Sequence, residues 1–478
     1  MARVSQSFLL GLWMSDIGKK AKNSEFIALE RHKIDSYNFM DLDKVLSDIY
    51  CSSRPVFADY ITRMELVQNF NDMAEDIYGN SEESIPVLEA YGSFVTDTFS
   101  RQSDLDVSIN FLNGTTELTR EMKIEVLKRF ARKLHFLKGK GIVRNVEPIL
   151  TARVPIIKFC DQRTGLECDL SVENKDAILN SQIIRIVSQI DGRFHILCML
   201  VKHWAKTHEV NSAVHRTLNS LSITLLVALH LQTQDPPILP PFSMLFGEGI
   251  DPPKVEERIQ NFLNQGQPNH ESVAKLFATF FIKLQSVEYL WKEGLCVSVL
   301  NGLWISKKWE YTGDVESISV ENFTNVTQNV ARQVNEEGAR KIYSSINQTV
   351  EDIIEFLDGK VTGTQLIHSL FGQQAETELR RWLSRQNDVM EPPPHVQLLN
   401  AGTDLGHRLS RQLGLLETPP LPPYIGNIAG TPPMFSGRQS VLEPRPPPPL
   451  LPPLLPPPPP PYGPQNVPHP YFGRPFHQ

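Results

Sequence analysis

Tyr91-Gly92-Ser93, followed after ten intervening residues by Asp104-Leu105-Asp106-Val107-Ser108-Ile109, is the stretch on which the fold turns. Its second half alternates with the two-residue period of a strand. Leu105, Val107 and Ile109 fall on one face, and Asp104, Asp106 and Ser108 on the other. Two carboxylates therefore leave a strand in one direction. A later run, Leu166-Glu167-Cys168-Asp169-Leu170-Ser171-Val172, alternates in the same way and sets Asp169 opposite its own apolar face. Two such strands side by side would bring three aspartates together.

The texture around these runs is mixed. Strand candidates at 104–111, 154–160 and 166–172 surround a basic helical segment from Lys123 to Leu137. Upstream, Leu42, Val45, Leu46 and Ile49 recur at helical spacing, and after Pro55 a second amphipathic run extends from Ile61 to Ile77, ending at the turn signal Gly79-Asn80. Residues 1 to about 42 show no sustained period. Beyond Ile183 the helical period takes over, with Leu197, Leu200, Val201 and Trp204 on one stripe and a long, mainly apolar run from Leu221 to Leu231 that ends at Pro236-Pro237. Of the chain's 37 prolines, 26 lie from Pro392 onward, so the last segment has the composition of polyproline II and not of a packed core. Within it, Pro459-Pro460-Pro461-Tyr462 fits a proline-rich ligand of WW or SH3-type domains, although a solvated spacer accounts for the same composition.

With 478 residues and 41% hydrophobic content the chain is long enough for more than one core. A net charge of -7 excludes general electrostatic capture of nucleic acid, so any such contact would need a local basic patch. The densest is Lys123, Lys128, Arg129, Arg132, Lys133, Lys138, Lys140 and Arg144. Five scattered cysteines without metal-ligand spacing read as reduced thiols of a cytoplasmic or nuclear protein. The apolar stretch Phe8 to Trp13 is too short to span a membrane, and no membrane association is expected.

Three carboxylates on adjacent strands suit the hard cation Mg2+ (or Mn2+), which takes oxygen ligands. Transfer of a phosphoryl group to a hydroxyl is served by two such ions roughly 4 Å apart. On this reading Asp104 and Asp106 bridge both ions, and Asp169 holds the one that activates the attacking hydroxyl. Gly92-Ser93 would bring backbone amides and a hydroxyl to a triphosphate at the start of a short helix. Each piece alone has an ordinary explanation, an aspartate-bearing edge strand or a helix start. It is their order and spacing together that point to catalysis.

The combination of Gly92-Ser93, Asp104-Leu105-Asp106-Val107-Ser108-Ile109 and Cys168-Asp169-Leu170-Ser171-Val172-Glu173-Asn174 resembles the non-canonical poly(A) polymerase and terminal uridylyltransferase family of the DNA polymerase β superfamily. Ala152 to Lys158, Ile190 to Phe194, Val201 to Lys206 and Ile238 to Pro241 are similar to the plant small-RNA terminal uridylyltransferases, and the resemblance runs from about 42 to 340. It implies an α+β fold: a polymerase β-like nucleotidyltransferase palm, a mainly helical poly(A)-polymerase-associated domain and a disordered proline-rich C-terminal tail. The expected boundaries are an N-terminal extension at 1–41, the palm with leading helices at 42–176, the helical domain at 177–385 and the tail at 386–478.

By the same resemblance Lys202 and Lys206, one helical turn apart, grip the triphosphate of UTP or ATP; Asn174 reads the ribose, and Ser220 touches the phosphates. The acceptor is the 3′ end of single-stranded RNA. Two positions depart from the family pattern. Leu221 stands where an aromatic ring stacks on the base, and Gln328 stands where many uridylyltransferases carry a base-selecting histidine. Nearby, Val320-Glu321-Asn322-Phe323 replaces an E-D-P-F motif, while Asn329, Ala331 and Arg332 match. Uridylate transfer is the leading expectation. An ATP-using poly(A) polymerase, or a catalytically weak scaffold acting through the tail, are the alternatives.

Overall fold

In the computed structural model, residues 15–79, 85–111, 117–212, 215–247, 249–263, 269–307, 309 and 318–385 are described. The proline-rich tail at 386–478, its WW-type motif and the apolar stretch Phe8 to Trp13 lie outside the described residues.

Five strands, β1 (Val87–Tyr91), β2 (Leu105–Asn110), β3 (Val143–Ile149), β4 (Ile156–Asp161) and β5 (Glu167–Val172), form one sheet in the order β1-β2-β5-β4-β3. Only the β2/β5 pair is parallel. Alternation sends Leu105, Val107, Ile109, Cys168 and Leu170 to one face, where they are buried with Phe70, Phe130 and Phe159. Helices α3 (Phe57–Tyr78) and α4 (Arg120–Gly139) cover that face. Burial of each such side chain contributes about 1.5–3 kcal/mol. The opposite face is left to the carboxylates.

A second core gathers α1 (Asp16–Arg31), α2 (Met40–Ser53), α5 (Lys175–Val187), α6 (Gly192–Thr207), α7 (Ser220–Gln232), α8 (Pro252–Leu263), α9 (Val273–Ser286), α10 (Glu336–Leu357) and α11 (Gly363–Arg385), the last kinked at Gly372. Two small sheets, β6 (Leu295–Ser298) with β7 (Leu303–Ser306) and β8 (Glu321–Asn322) with β9 (Asn325–Asn329), complete it. The apolar run in α7 is buried all round, as a helix without a polar face must be. Asn219 caps it by accepting from Ser222 N at 2.8 Å. Among the described residues no helix is long and apolar enough to cross a membrane.

The partition of apolar side chains does not follow the boundary read at residue 42. Helices α1 and α2 precede the sheet in sequence yet are buried with the second core. The inward face of α1 is Ile17, Gly18, Ala21, Glu25 and Ala28, too small and too polar to register as a hydrophobic period. It is fixed instead by a distant contact, Trp304 Nε1 donating to the buried Glu25 Oε1 at 2.7 Å.

Candidate active site

Parallel pairing of β2 with β5 sets Asp106 directly beside Asp169, and antiparallel pairing of β4 with β5 sets Lys158 beside Asp169 on the other side. Asp104 immediately precedes β2. All three aspartates thus belong to two neighbouring strands, and side chains paired in this way leave the sheet on the same face. They do not form a ready-made cage: among the described residues no group of three His, Cys, Asp or Glu side chains is already set in place around one point as metal ligands. Three carboxylates so placed repel one another, and the Lys158 ammonium reaches between two of them, 3.1 Å from Asp169 Oδ1 and 3.8 Å from Asp104 Oδ2.

The electrostatics follow from this crowding. Burial first, then the Asp169 and Asp104 charges, push the Asp106 carboxyl up to about 7 against the pull of Lys158 and Lys202. Burial likewise raises Asp169, although Lys158 opposes it. Burial weakens the Lys158 ammonium, but Asp169 and Asp104 outweigh it and hold its pKa above the ordinary lysine value. Asp169 Oδ1 is buried without a hydrogen bond of good geometry, its contact with Lys158 being an ion pair. Hard oxygen donors, one of them buried and held only by a lysine ion pair, are the donor set that a divalent cation takes.

Gly92 follows β1 at φ +71°, and a Cβ there would lie 2.3 Å from Asp106 Oδ2. Only glycine allows both the left-handed backbone and the close approach. Residues 92–97 form a hydrogen-bonded turn in place of the short helix expected from sequence, closed by Thr96 N to Gly92 O at 3.1 Å and Thr98 N to Ser93 O at 3.0 Å. The Gly92 amide does not stand open to a ligand as expected, because it donates to Ser181 Oγ of α5 at 2.8 Å.

The turn is held from α3, α5 and α6 by residues that leave no motif in the sequence. Asp97, in left-handed backbone at φ 60°, accepts from Tyr60 Oη at 2.5 Å and pairs with Arg185 Nη1 at 3.2 Å. Although burial raises its pKa, Arg185, His195 and Tyr60 outweigh that and hold it below the usual carboxylate range. His195 Nε2 donates to the Asp97 carbonyl at 2.7 Å, so Nδ1 is left to accept from Tyr50 Oη at 3.2 Å. Arg63, buried on α3, donates from Nη2 to the carbonyls of Ser100, Arg101 and Ser103 at 3.2, 3.2 and 2.8 Å, fixing the approach to Asp104. None of these contacts leaves a local sequence pattern. The one hint is that aspartate is among the few residues that tolerate the left-handed region.

The remaining expected site residues are placed unequally. Lys202 of α6 donates to Thr98 O and Thr98 Oγ1, both at 3.0 Å, and burial lowers its pKa to about 8. Lys206, a turn later on α6, is exposed. Asn174 lies two residues after the last residue of β5, at the start of α5, its backbone N–H donating to Ser108 Oγ at 3.0 Å. Ser220 is the first residue of α7 and accepts from Asn211 Nδ2 at 3.3 Å. Half-buried Leu221 follows it, and the cap residue Asn219 donates to Val330 O at 2.6 Å, tying this helix start to the end of β9, where Gln328 lies. Among the described residues no hydrogen bond or ion pair joins Lys206 or Ser220 to the aspartates. The basic patch is partly spent within the fold: Lys133 pairs with Asp76, Lys128 with Glu125, Lys123 donates to Glu173 O, and Arg129 and Lys140 lie over aromatic rings.

Residues 42–189 match the family described as poly(A) RNA polymerase, mitochondrial-like, central palm domain. The matched stretch holds Gly92, Asp104, Asp106 and Asp169. Protein HESO1 of Arabidopsis thaliana is 29% identical over 363 residues, covering 72% of this chain and 69% of that protein. Terminal uridylyltransferase 7 of Homo sapiens is 32% identical over 216 residues, covering 45% of this chain and 14% of the relative. The fold is like that of mtPAP crystallised with UTP, with a TM-score of 0.55 at 20% identity, over 70% of this chain and 72% of that one. The relatives bear the names of terminal uridylyltransferases and poly(A) RNA polymerases, and the α+β architecture read from the sequence agrees with the likeness to mtPAP.

Proposed function

We propose that this chain is a template-independent RNA 3′-terminal uridylyltransferase, moving UMP from UTP to the 3′-hydroxyl of single-stranded RNA. The observation that carries the reading is the pairing of Asp106 with Asp169 across parallel strands, with Gly92 pressed against Asp106.

Asp104, Asp106 and Asp169 would hold Mg2+ (or Mn2+), which when bound neutralises charge on the α-phosphate and acidifies the attacking hydroxyl. The RNA 3′-oxygen forms the new bond to the α-phosphorus, the bond to the bridging oxygen breaks, and pyrophosphate leaves with its electron pair. Asp169, with a carboxyl made more basic by burial, accepts the hydroxyl proton. Ser93 presents its hydroxyl and amide to the triphosphate from a turn that Arg185, His195 and Lys202 immobilise. Lys202 adds positive charge close to Asp106, and Lys206 extends it toward solvent. Asn174 contacts the ribose. Ser220, at the start of α7, adds a hydroxyl where the helix dipole favours phosphate. RNA phosphates lie along the basic face of α4.

The ATP-using alternative rests on two departures: Leu221 offers no ring and Gln328 no imidazole at the positions where the family pattern selects uracil.

The test is extension of a labelled single-stranded RNA with Mg2+ and each nucleoside triphosphate in turn, comparing the wild type with an Asp104→Ala, Asp106→Ala protein. Extension with UTP that the double variant lacks supports the reading. Preference for ATP moves the chain to the poly(A) polymerases. Equal extension by both proteins, or none by folded wild type, refutes it.

A further inference from the structure

We propose that Lys158 is a tethered counter-ion of the carboxylate cluster, a side chain that holds the aspartates until a divalent ion displaces it. The inference rests on reading Asp104, Asp106 and Asp169 as the metal ligands.

Three observations carry it. The register of β4 on β5 places Lys158 directly opposite Asp169, so the two side chains rise from one face of the sheet. The ammonium is shared, at 3.1 Å from Asp169 Oδ1 and 3.8 Å from Asp104 Oδ2, and so bridges carboxylates that come from different strands. Its side chain is also 36% exposed, so the stem is not locked into the core. A lysine on a flexible four-carbon stem, with a strongly hydrated head, can leave such a site by rotation alone. An arginine forked onto one carboxylate could not do so as readily.

The consequence is competition. A single positive charge lowers the mutual repulsion of the aspartates, and the same charge opposes an arriving cation. A divalent ion with several oxygen ligands outcompetes one ammonium, but its apparent affinity is reduced by whatever Lys158 contributes. Removing the charge while keeping the stem should therefore tighten metal binding and make the metal-free protein less stable. Loss of a merely structural lysine would not tighten anything.

The experiment measures free Mn2+ by electron paramagnetic resonance during titration of wild type, Lys158→Met and Lys158→Arg, without nucleotide or RNA. The methionine variant should bind Mn2+ about fivefold more tightly, the change expected from losing one partly exposed ion pair. The arginine variant should not bind more tightly than wild type. A second measurement needs no variant: amine-selective acylation of wild-type protein, read by mass spectrometry at Lys158, should increase when Mn2+ is added. Equal or weaker binding by the methionine variant overturns the proposal, as does acylation that is unchanged or reduced by Mn2+. If none of the proteins binds Mn2+, the metal-site reading fails and takes this proposal with it.

Discussion

Substituting alanine for Gly92 separates a backbone effect from an effect on Asp106. At φ +71° any residue with a Cβ costs about 1–2 kcal/mol relative to glycine. The added carbon would also lie 2.3 Å from Asp106 Oδ2 and 3.1 Å from its Cγ, so the carboxylate must retreat by about 1 Å to reach ordinary contact. A displacement of about 1 Å in a reacting constellation costs about a hundredfold in rate, or about 2.7 kcal/mol. Gly141 is the control. Its φ is +72°, but nothing lies within 4 Å of its Cβ position, so Gly141→Ala bears the backbone cost alone. Both variants should unfold at lower denaturant by similar amounts. Only Gly92→Ala should lose about a hundredfold in the 3′-extension rate at saturating Mg2+ and nucleotide. Near wild-type extension by Gly92→Ala, with a stability loss equal to that of Gly141→Ala, would refute the assignment of Asp106 to the chemistry.

Three further outcomes are expected. Arg63→Met removes a buried guanidinium from three carbonyls and should cost about 2–4 kcal/mol in urea unfolding, with a loss of extension because the approach to Asp104 loosens; an unchanged denaturation midpoint would contradict this. Leu221→Tyr restores a ring beside the proposed base site and should lower the KM for UTP about fivefold or more, whereas no change would show that this position does not face the base. For Asp106, raised to about 7, the fold favours the protonated acid. Its contribution to metal-free stability is therefore fully present below about pH 4 and is lost as pH rises through about 7. The melting temperature of metal-free wild type should fall over that range more steeply than that of Asp106→Asn, and parallel curves would exclude the shift.

What could be read from the sequence was what repeats locally. The alternation around Asp104, Asp106 and Asp169 gave β2 and β5 to within a residue or two, and the long, mainly apolar run from Leu221 gave α7. Strand β3 escaped because it is an edge strand with a bulge between Arg144 and Glu147 and a polar, exposed face. Helix α1 escaped because, Ile17 apart, its buried face is glycine, alanine and glutamate. Lys158 was visible in the sequence only as part of a motif, since its meaning depends on the register of two strands. Arg63 and Asp97 act through contacts 37 to 98 residues away in the chain, and no window of sequence contains both ends.

The same contacts explain why a palm of this kind cannot be completed by its own sheet. The turn that follows β1 carries Gly92 and Ser93, and it is hydrogen-bonded by Ser181 and Arg185 of α5 and by His195 and Lys202 of α6. The family match ends at residue 189, before the last two of these. A fragment cut there would keep all three aspartates and lose the imidazole that holds the Asp97 carbonyl and the ammonium that holds Thr98. Asp97 sits in left-handed backbone, a conformation that persists only when its surroundings enforce it. With half of that enclosure gone, the turn has no reason to stay pressed against Asp106. The carboxylates are therefore supplied by the sheet, but the geometry that makes them a site is supplied by the helices packed behind the turn.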